Sequence, residues 1–303
     1  MNIKNISWIA LDWGTSNLRV WAIDDLGKVL EKRSTDQGLL SLEAKQFEDT
    51  LVSFIDDWLI KNETDIIACG MVGAKQGWID AGYQLTPYNP LSKVHLTKTP
   101  TESKKIKVHI ISGVKQNEPA DVMRGEETQI AGFLADHQNF SGSLCLPGTH
   151  TKWVTVSNGI VTQFKTFMTG ELFHLLSHHS VLKHCIAKSG WDQKHFTQSF
   201  ILGFTQPNRL TTFLFSLRAK NLIKGLNKEN ARSELSGLLM GMELNASQAF
   251  WKEKKIIIIG TSELANNYKI ALETQNCHCQ NVDVEKITLA GLSNAYLQVK
   301  GKP

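Results

Sequence analysis

The sequence predicts an α/β protein of about two domains. Short β-type runs open the chain, and a similar trio of short strands begins again near residue 141. Each trio is followed by longer segments in which apolar residues recur at helical spacing. A length of 303 residues favours about two domains, each large enough to bury its own core.

The first half reads as three strands, a helix and further strands. The expected strands are residues 6–12, 17–23, 29–34, 65–69 and 107–112. Gly14-Thr15 and residues 24–27 are hairpin signals between the first three strands. A helix is predicted at residues 43–61, because Phe47, Leu51 and Trp58 lie on one apolar stripe.

The second half repeats the opening and then becomes helical. The expected strands are residues 143–146, 152–157, 160–165 and 255–259. Asn158-Gly159 indicates a type I′ hairpin turn. Helices are predicted at residues 171–183, 210–224 and 230–252, with closing helices after the last strand. Residues 188–208 show no clear period and receive no assignment.

A helix predicted at residues 126–137 is the candidate connection between the domains. Ile130, Phe133 and Leu134 form its apolar stripe, while Ala131-Gly132 would let a second backbone pass close by. No flexible linker stands out, so a short structured element is expected at the join, which suits a hinge.

Three turns, each placed after an apolar run, carry glycine and hydroxyl side chains. The first is Asp12-Trp13-Gly14-Thr15-Ser16, the second spans residues 146–152, and the third is Gly260-Thr261-Ser262, which opens a helix. Backbone N–H groups and hydroxyls can hold phosphate oxygens, and a carboxylate attracts Mg²⁺ or its waters. Taken alone, each turn could be an ordinary hairpin connection. No Walker A or GxGxxG pattern is present.

Composition argues against nucleic-acid and membrane partners. The net charge of +4 is small and the lysines are scattered, so no basic stripe for nucleic acid forms. No run approaches the roughly 20 apolar residues of a membrane span. Residues 1–4 lead directly into a strand and not into a signal peptide, so a cytoplasmic protein is expected.

Five cysteines, an odd number, fit a reducing compartment. Cys69, Cys145 and Cys185 lie in apolar surroundings, where they are expected to act as small hydrophobic side chains. Cys277-His278-Cys279 lacks a second pair at zinc-ligand spacing, so the pattern does not favour a zinc site.

The three turns together resemble the superfamily of sugar kinases, chaperone ATPases and actin. Residues 12–19 are similar to its first phosphate loop, residues 147–152 to its second, and Gly260-Thr261-Ser262 to its adenosine loop. Residues 126–132 and 288–296 resemble its two connecting helices.

This resemblance implies an actin-like ATPase fold: two ribonuclease-H-like domains with a nucleotide cleft between them. Residues 1–138 would form the N-terminal domain, with the sugar-acid site and the first phosphate loop. Residues 139–303 would form the C-terminal domain, with the second phosphate loop and the adenosine site.

A closer resemblance is to the 2-dehydro-3-deoxygalactonokinase family. The stretches that carry it are MVGAKQGW (71–78), MRGEETQ (123–129), PGTHTKWV (147–154), FMTGELFHLL (167–176) and SGLLMGMEL (236–244). The family implies ATP- and Mg²⁺-dependent phosphorylation of 2-dehydro-3-deoxy-D-galactonate, a small sugar acid, at its 6-hydroxyl in galactonate catabolism.

Carried over to this sequence, the resemblance assigns the cofactor sites. The residues expected to bind ATP are Gly14, Thr15, Ser16, Gly148, Thr149, Thr151, Lys152, Gly260, Thr261 and Ser262. Lys152 could add charge near the phosphates or stand in solvent. Asp12 is expected to hold Mg²⁺ through water, and Pro147 stands where most superfamily members have Asp.

Phosphoryl transfer also needs a base for the acceptor hydroxyl. Glu126 is the hypothesis, Glu127 is the close alternative, and Asp121 is the third candidate. Both glutamates begin a helix, whose N-terminus would favour their ionised form at neutral pH. Acidic residues that only complement the helix dipole are the alternative interpretation.

Residues 70–78 follow a buried strand, where α/β proteins commonly bind ligands. The resemblance favours a sugar-acid pocket here that includes Gly73, with Gln76 for hydroxyls and Trp78 as a wall. A Gly-rich turn pinned by a packed Trp is the alternative.

Further residues are expected to meet the substrate. Arg124 is preferred over Lys75 and Arg19 as partner of its carboxylate, and Glu171 could contact substrate or Mg²⁺. Ala81-Gly82-Tyr83 stands where the family pattern leads us to expect Ala-Pro-Tyr, a departure that could alter which sugar acid fits.

Other functions remain as alternatives. A kinase for another 2-keto-3-deoxy acid such as the gluconate epimer fits the same motifs, since one hydroxyl depends on pocket geometry. A regulatory actin-like ATPase is a second alternative, and a zinc hydrolase using Glu171, His174 and His178 is a third, although HLLSH lacks the Glu of HExxH. A monomer or a homodimer is expected.

Overall fold

Residues 5–60, 63–92 and 94–301 are described by the computed structural model, and they form two units, each built around a β-sheet. The first unit contains the chain up to Phe140, Val156–Gln163 and the residues from Val284 onward; the second contains Ser141–Thr155 and Phe164–Asp283. The first change of unit lies beside the boundary expected after residue 138. The residues from Val284 onward belong to the first unit, although the C-terminal domain was expected to span residues 139–303. Residues 1–4, used above in the argument about a signal peptide, lie outside the described residues.

The strands and helices have the following bounds. The strands are β1 (Trp8–Trp13), β2 (Leu18–Ile23), β3 (Val29–Thr35), β4 (Thr64–Gly70), β5 (Tyr83–Leu85), β6 (Leu96–Lys98), β7 (Ile106–Ile111), β8 (Gly113–Gln116), β9 (Asp121–Met123), β10 (Gly142–Leu146), β11 (Thr151–Ser157), β12 (Ile160–Phe167), β13 (Ile256–Gly260) and β14 (Cys279–Asp283). The helices are α1 (Phe47–Ile55), α2 (Glu126–Asp136), α3 (Thr169–His179), α4 (Gln193–Thr205), α5 (Leu210–Lys224), α6 (Lys228–Ala246), α7 (Gln248–Trp251), α8 (Ser262–Glu273) and α9 (Val284–Val299).

The main sheet of the first unit has the strand order β3-β2-β1-β4-β7-β6. Its centre is β1, which is buried along its whole length and pairs antiparallel with β2 and parallel with β4. This pairing places Asp12 opposite Arg19 on one side and opposite Cys69 on the other. The carboxyl ends of β1 and β4 therefore meet at one edge, where α/β proteins commonly bind ligands.

A smaller sheet of order β5-β8-β9 also belongs to the first unit. Its strands are three or four residues long and partly exposed, so they carry little apolar periodicity and escaped the sequence analysis. Strand β9 leads into α2. Strand β5 contains Tyr83, the last residue of the segment 81–83 that differs from the expected family pattern.

Helices α2 and α9 pack within the first unit at very short range. A Cβ at Gly132 would lie 1.9 Å from the Ile287 carbonyl oxygen, and a Cβ at Gly291 would lie 2.0 Å from the Thr128 carbonyl oxygen. Only glycine allows this approach, so the expectation that a second backbone passes close to Gly132 is confirmed. The contact also explains why the C-terminal helix belongs to the first unit.

The sheet associated with the second unit has the order β12-β11-β10-β13-β14, with β10, β13 and β14 parallel. The predicted turn between β11 and β12 is confirmed, because Asn158 and Gly159 have φ values of 49° and 76°. The run Ile256–Gly260 is fully buried, as its uninterrupted apolar sequence indicates.

Several predicted helix bounds were wrong. The helix predicted at 43–61 is the shorter α1, with 3₁₀ turns on either side, and its last expected residue lies outside the described chain. The one predicted at 230–252 is divided into α6 and α7. The unassigned stretch 188–208 contains α4, whose N-terminus is capped by Asp192 accepting from the His195 N–H at 2.8 Å.

The three cysteines expected in apolar surroundings are buried in hydrophobic clusters. Cys69, Cys145 and Cys185 have side chains at most 1% exposed, and all five cysteines are free thiols. Among the helices of residues 5–60, 63–92 and 94–301, none is long and apolar enough to cross a membrane.

Candidate active site

The turn after β1 presents its hydroxyls at the surface. Thr15 is half-buried and Ser16 is exposed, while the Gly14 N–H donates to the Asn17 carbonyl at 2.8 Å and closes the turn. Residues 39 and 40 donate their N–H groups to the Gly14 and Thr15 carbonyls at 3.0 and 3.1 Å. The backbone acceptors are thus used internally, and both side-chain hydroxyls remain accessible to a ligand.

Asp12 ends β1 beside this turn and forms an ion pair with Arg19 of β2. Burial raises the pKa of the Asp12 carboxyl above its usual value, and the Arg19 guanidinium opposes that rise. Arg19 therefore acts as partner of Asp12, which leaves it a poor candidate for the substrate carboxylate. Within the described chain, no group of three or more His, Cys, Asp or Glu residues is placed to hold a metal ion.

The start of α2 lies against the end of β4. Gly125 precedes α2 and comes so close to Gly70 that an added Cβ would lie 3.4 Å from the Gly70 Cα. Gly70 itself has a φ of 92°, and a Cβ there would lie 2.6 Å from the Trp13 carbonyl oxygen. These approaches bring Glu126 within electrostatic range of Asp12.

The two glutamates of α2 have different surroundings. Glu127 is fully buried, and its carboxylate accepts from the Gly125 N–H at 2.7 Å and from the Thr128 hydroxyl at 3.2 Å. Burial, followed by the nearby charge of Glu126, raises the pKa of Glu127 to about 8. Burial thus opposes the ionised form that the helix N-terminus was expected to favour at Glu127.

Glu126 is half-buried and accepts from the Arg124 N–H at 3.0 Å. It is thus the more accessible of the two carboxylates. Asp121, the third candidate, lies on β9, where its carboxylate accepts from the Val122 N–H at 2.8 Å.

The structure brings Arg124 together with Gly73. A Cβ at Gly73 would lie 2.9 Å from Nη1 of Arg124, whose guanidinium also stacks on the Tyr83 ring at 4.4 Å and donates to the Gly82 carbonyl at 2.9 Å. Arg124 is only 9% exposed. Within the described part of the chain its Nε and Nη1 groups are buried without a hydrogen-bond partner. Residues 81–83 therefore form a platform for this cation.

The other residues predicted around the sugar acid behave differently. Gln76 and Lys75 are exposed. Trp78 is partly buried and packs toward the core, with its ring 6.4 Å from that of Phe47. The interpretation of residues 70–78 as a turn pinned by a packed Trp is thus supported for Trp78, and its role as a pocket wall stays a prediction.

The second turn predicted to bind phosphate, between β10 and β11, has both exposed and buried side chains. Thr149 and His150 are exposed, whereas Thr151 is buried, with its hydroxyl 2.8 Å from the Tyr268 hydroxyl. Thr151, predicted to donate to phosphate, instead hydrogen-bonds inward. Lys152 is 5% exposed and donates to the His150 carbonyl at 3.3 Å, so it does not stand in solvent.

The start of α3 supports this turn directly. The Glu171 N–H donates to the Thr149 carbonyl at 2.9 Å, and the Glu171 carboxylate lies 2.6 Å from Nε2 of His150. A Cβ at Gly170 would lie 2.4 Å from the Gly148 carbonyl oxygen. Glu171 thus lies in the second unit and contacts this turn, and its contact with substrate or Mg²⁺ stays a prediction.

A cavity of about 190 Å³ in the second unit is bordered by both the second and the third turn. Its polar edge includes Gly148, Thr261 and Asn267, and Phe173 and Trp191 provide aromatic faces. Gly260 packs on Pro147, since a Cβ there would lie 3.3 Å from the proline ring. The second and third turns therefore lie side by side in the second unit.

Sequence reasoning missed several cavity residues. Trp191 lies in the stretch that received no assignment, and Arg232 and Asn267 lie on helices with no motif to mark them. No sequence pattern marks these residues. Only the packing of neighbouring elements shows that they line a cavity.

The histidine and cysteine clusters lie in the second unit. The rings of His174 and His178 stack at 4.4 Å on α3, and His178 also contacts the His174 carbonyl at 3.0 Å. The Cys277 thiol contacts the Trp251 carbonyl at 3.6 Å. Both clusters are engaged by backbone or ring contacts.

Comparisons with known proteins cover nearly the whole chain. The sequence model of a family described as 2-keto-3-deoxy-galactonokinase matches residues 12–295. The chain is 35% identical to the probable 2-dehydro-3-deoxygalactonokinase of Rhizobium meliloti (strain 1021), over 95% of this chain and 96% of the relative. It is 32% identical to 2-dehydro-3-deoxygalactonokinase of Escherichia coli (strain K12), over 94% of this chain and 96% of the relative.

Two solved structures are similar to this chain. A crystal structure assigned to a 2-dehydro-3-deoxygalactonokinase from Sinorhizobium meliloti has a TM-score of 0.90 at 36% identity and covers 96% of each chain. The activator of 2-hydroxyisocaproyl-CoA dehydratase from Clostridium difficile, with bound ADPNP, has a TM-score of 0.52 at 8% identity, covering 97% of this chain and 94% of the activator. The second likeness shows the fold alone. The α/β class predicted from the sequence is confirmed.

Proposed function

The chain belongs to the 2-keto-3-deoxy-galactonokinase family, and from that premise we propose that it transfers the γ-phosphoryl group of ATP to the 6-hydroxyl of 2-dehydro-3-deoxy-D-galactonate. The observation that carries the proposal is the family match over residues 12–295, which includes both phosphate turns, the MRGEETQ motif and the third turn. The reaction is a step of galactonate catabolism.

The cavity of the second unit is the proposed site for the adenosine part of ATP. Phe173 and Trp191 offer apolar faces to a base, and Asn267 and Arg232 offer polar groups. Thr261 and Ser262 stand at the N-terminus of α8, where backbone N–H groups and the helix dipole favour an anion.

The proposal includes the domain arrangement that the resemblance implies. It takes the protein as two ribonuclease-H-like domains whose phosphate turns serve one ATP in a common cleft. This part rests on the similarity of the motifs to those of the superfamily.

Glu126 is the proposed base for the acceptor hydroxyl. Glu126 is half-buried at the first turn of α2 and has Asp12 nearby, whereas Glu127 is fully buried. Removal of the hydroxyl proton makes the oxygen a better nucleophile toward the phosphoryl group.

Arg124 is the proposed partner of the substrate carboxylate. Two buried N–H groups of its guanidinium have no partner in the described chain, which costs free energy unless a ligand satisfies them. A carboxylate can accept from such a planar donor at two points. Gly73 leaves room beside Nη1, as its missing Cβ would stand 2.9 Å away.

Mg²⁺ is the proposed cofactor, because it neutralises charge on the phosphates during transfer. Asp12 offers an oxygen ligand of the kind Mg²⁺ prefers, beside the Thr15 and Ser16 hydroxyls that would hold phosphate. Since Arg19 already pairs with the Asp12 carboxylate, Asp12 would hold the ion through water.

A coupled assay of ADP release tests the proposal. The purified protein is given ATP, Mg²⁺ and, in turn, 2-dehydro-3-deoxy-D-galactonate, its gluconate epimer and a neutral hexose. The galactonate acid should give the fastest release, and phosphorus NMR of the product should place the phosphate on the 6-oxygen. Release that no sugar acid accelerates would contradict the proposal, and a faster reaction with the epimer would reassign the substrate.

A further inference from the structure

A carboxyl group is buried beneath the cavity of the second unit. Glu243 of α6 is 1% exposed, and among the described residues no Lys, Arg or His forms an ion pair with it. Three neutral donors surround it instead. Trp153 Nε1 and the Tyr268 hydroxyl each donate to it at 2.8 Å, and the Thr169 hydroxyl donates at shorter range.

The three donors come from three different elements. Trp153 lies on β11, Thr169 begins α3, and Tyr268 lies on α8. One carboxylate of α6 therefore joins four elements by hydrogen bonds. Burying a carboxyl group without a counter-ion is costly, and an apolar residue of similar size would avoid that cost. The position thus serves geometry more than stability.

Each connection leads to the proposed nucleotide site. Thr169 and Tyr268 line the cavity. The residues after Thr169 dock on the second phosphate turn, through the Glu171 N–H and the Thr149 carbonyl at 2.9 Å. The Tyr268 hydroxyl donates to Glu243, so its oxygen is left to accept from the Thr151 hydroxyl at the end of the same turn.

We propose that Glu243 is a positioning residue for ATP: through Thr169 and Tyr268 it holds the second phosphate turn and the cavity wall in the geometry that binds the nucleotide. The inference rests on the proposed function and deepens it. Glu243 itself does not line the cavity, so it acts only through its neighbours.

The network also makes ATP binding sensitive to the charge of Glu243. An ionised carboxylate can accept from all three donors, whereas a protonated one carries an O–H donor, so the Thr169 or Tyr268 hydroxyl must turn to accept from it. Burial raises the pKa of Glu243 to about 7, which its three hydrogen bonds oppose. The titratable groups facing it are the Tyr268 hydroxyl of α8 and the Cys145 thiol of β10, and burial raises the pKa of both well above their usual values.

The test compares Glu243→Gln with Glu234→Gln. Glu234 is a matched control on the same helix, because it is 5% exposed but pairs with His195 and Lys220 and lies outside the cavity lining. Affinity for the ATP analogue AMP-PNP is measured by calorimetric titration, KM for the sugar acid by ADP release, and folding by circular dichroism and melting.

Glu243→Gln should weaken AMP-PNP binding by roughly tenfold, as loss of one or two hydrogen bonds implies, with sugar-acid KM within about twofold of wild type. Glu234→Gln should leave AMP-PNP binding within about twofold. Wild-type affinity should fall as pH drops below about 7 more steeply than that of Glu243→Gln.

Three outcomes would overturn the inference: unchanged AMP-PNP binding in Glu243→Gln, an equal loss in Glu234→Gln, or an equal rise in sugar-acid KM. Should Glu243→Gln fail to fold, Tyr268→Phe and Thr169→Val each remove one connection, and normal AMP-PNP affinity in both would also overturn it. A wild-type protein that binds no AMP-PNP would refute the proposed function itself, and the inference with it.

Discussion

The turns after β1 and after β10 share a Gly-Thr pair but differ in the groups that surround it. After β1, Thr15 is half-buried and Ser16 is exposed. The nearby Asp12 carboxylate forms an ion pair with Arg19. After β10, Pro147 replaces the carboxylate, and the Thr151 hydroxyl turns inward to Tyr268. Thr149, which follows Gly148 as Thr15 follows Gly14, is exposed, so the turns differ at Thr151, two residues further on, whose hydroxyl bonds to the core.

The surroundings of the turns differ in charge as well. The first unit gathers Asp12, Glu126 and Glu127 with Arg19 and Arg124. In the second unit the turn lies beside the His150–Glu171 pair, and the buried carboxyl of Glu243 lies among neutral donors below the cavity. We interpret this as a division of labour, with the acid–base chemistry in the first unit and nucleotide positioning in the second.

The largest effect is expected from Glu126→Gln, which would remove the proposed base from the first unit. Loss of the base should lower kcat by about 10²-fold or more, with AMP-PNP affinity nearly unchanged. Steady-state kinetics and calorimetric titration measure the two quantities. Glu127→Gln, with an intact accessible carboxylate at 126, is the control, and a larger loss of kcat in that variant would exchange the two assignments.

Arg124→Met should come next in size. Removing a charged donor to the substrate carboxylate should raise KM for the sugar acid by roughly 10- to 100-fold, while KM for ATP stays close to wild type. Lys75→Met is the matched control, because Lys75 is an exposed cation in the neighbouring segment. Equal changes in both variants would argue against a specific role for Arg124.

Thr15→Val and Thr151→Val compare the two turns directly. Thr15→Val should raise KM for ATP by roughly tenfold with little change in melting temperature, since its hydroxyl is free for phosphate. Thr151→Val should cost about 1 kcal/mol of unfolding free energy and change KM for ATP less. A Thr151→Val variant of normal stability with the larger rise in KM would mean that its hydroxyl reaches phosphate after all.

The smallest effect is a pH dependence of stability. The pKa of Glu127 is raised to about 8 from an ordinary value of 4.5, so between these values the folded state holds a proton that the unfolded state has lost. Stability from this group is therefore lost as pH rises through that window. Between pH 5.5 and 8, the melting temperature of wild type should fall relative to Glu127→Gln by a few degrees.

Glu285→Gln serves as a control of opposite sign. A hydrogen bond from Lys32 lowers the pKa of Glu285, so its contribution is lost as pH falls, not as it rises. Identical pH profiles for wild type and Glu127→Gln would contradict the buried, protonated state of Glu127.

Local features of the molecule were predictable from residues alone. Strands β1 to β4, β7 and β10 to β13, the hairpin at Asn158-Gly159 and the close approach at Gly132 depend on neighbours in the sequence or on backbone properties of single residues. The family motifs add the reaction, because stretches such as MRGEETQ and PGTHTKW carry a specific resemblance to the family.

Tertiary contacts decided the rest. The inward direction of Thr151, the raised pKa of Glu127 and the platform that residues 81–83 form for Arg124 each depend on groups distant in the chain. Helix α4 was not predicted, for the same reason. It packs on α6 through backbone contact, since a Cβ at Gly237 of α6 would lie 2.3 Å from the Phe196 carbonyl oxygen. Such a contact needs no regular apolar stripe. A sequence determines local conformation through adjacent residues, whereas hydroxyl direction and carboxyl charge depend on desolvation and partners that only the folded chain brings together.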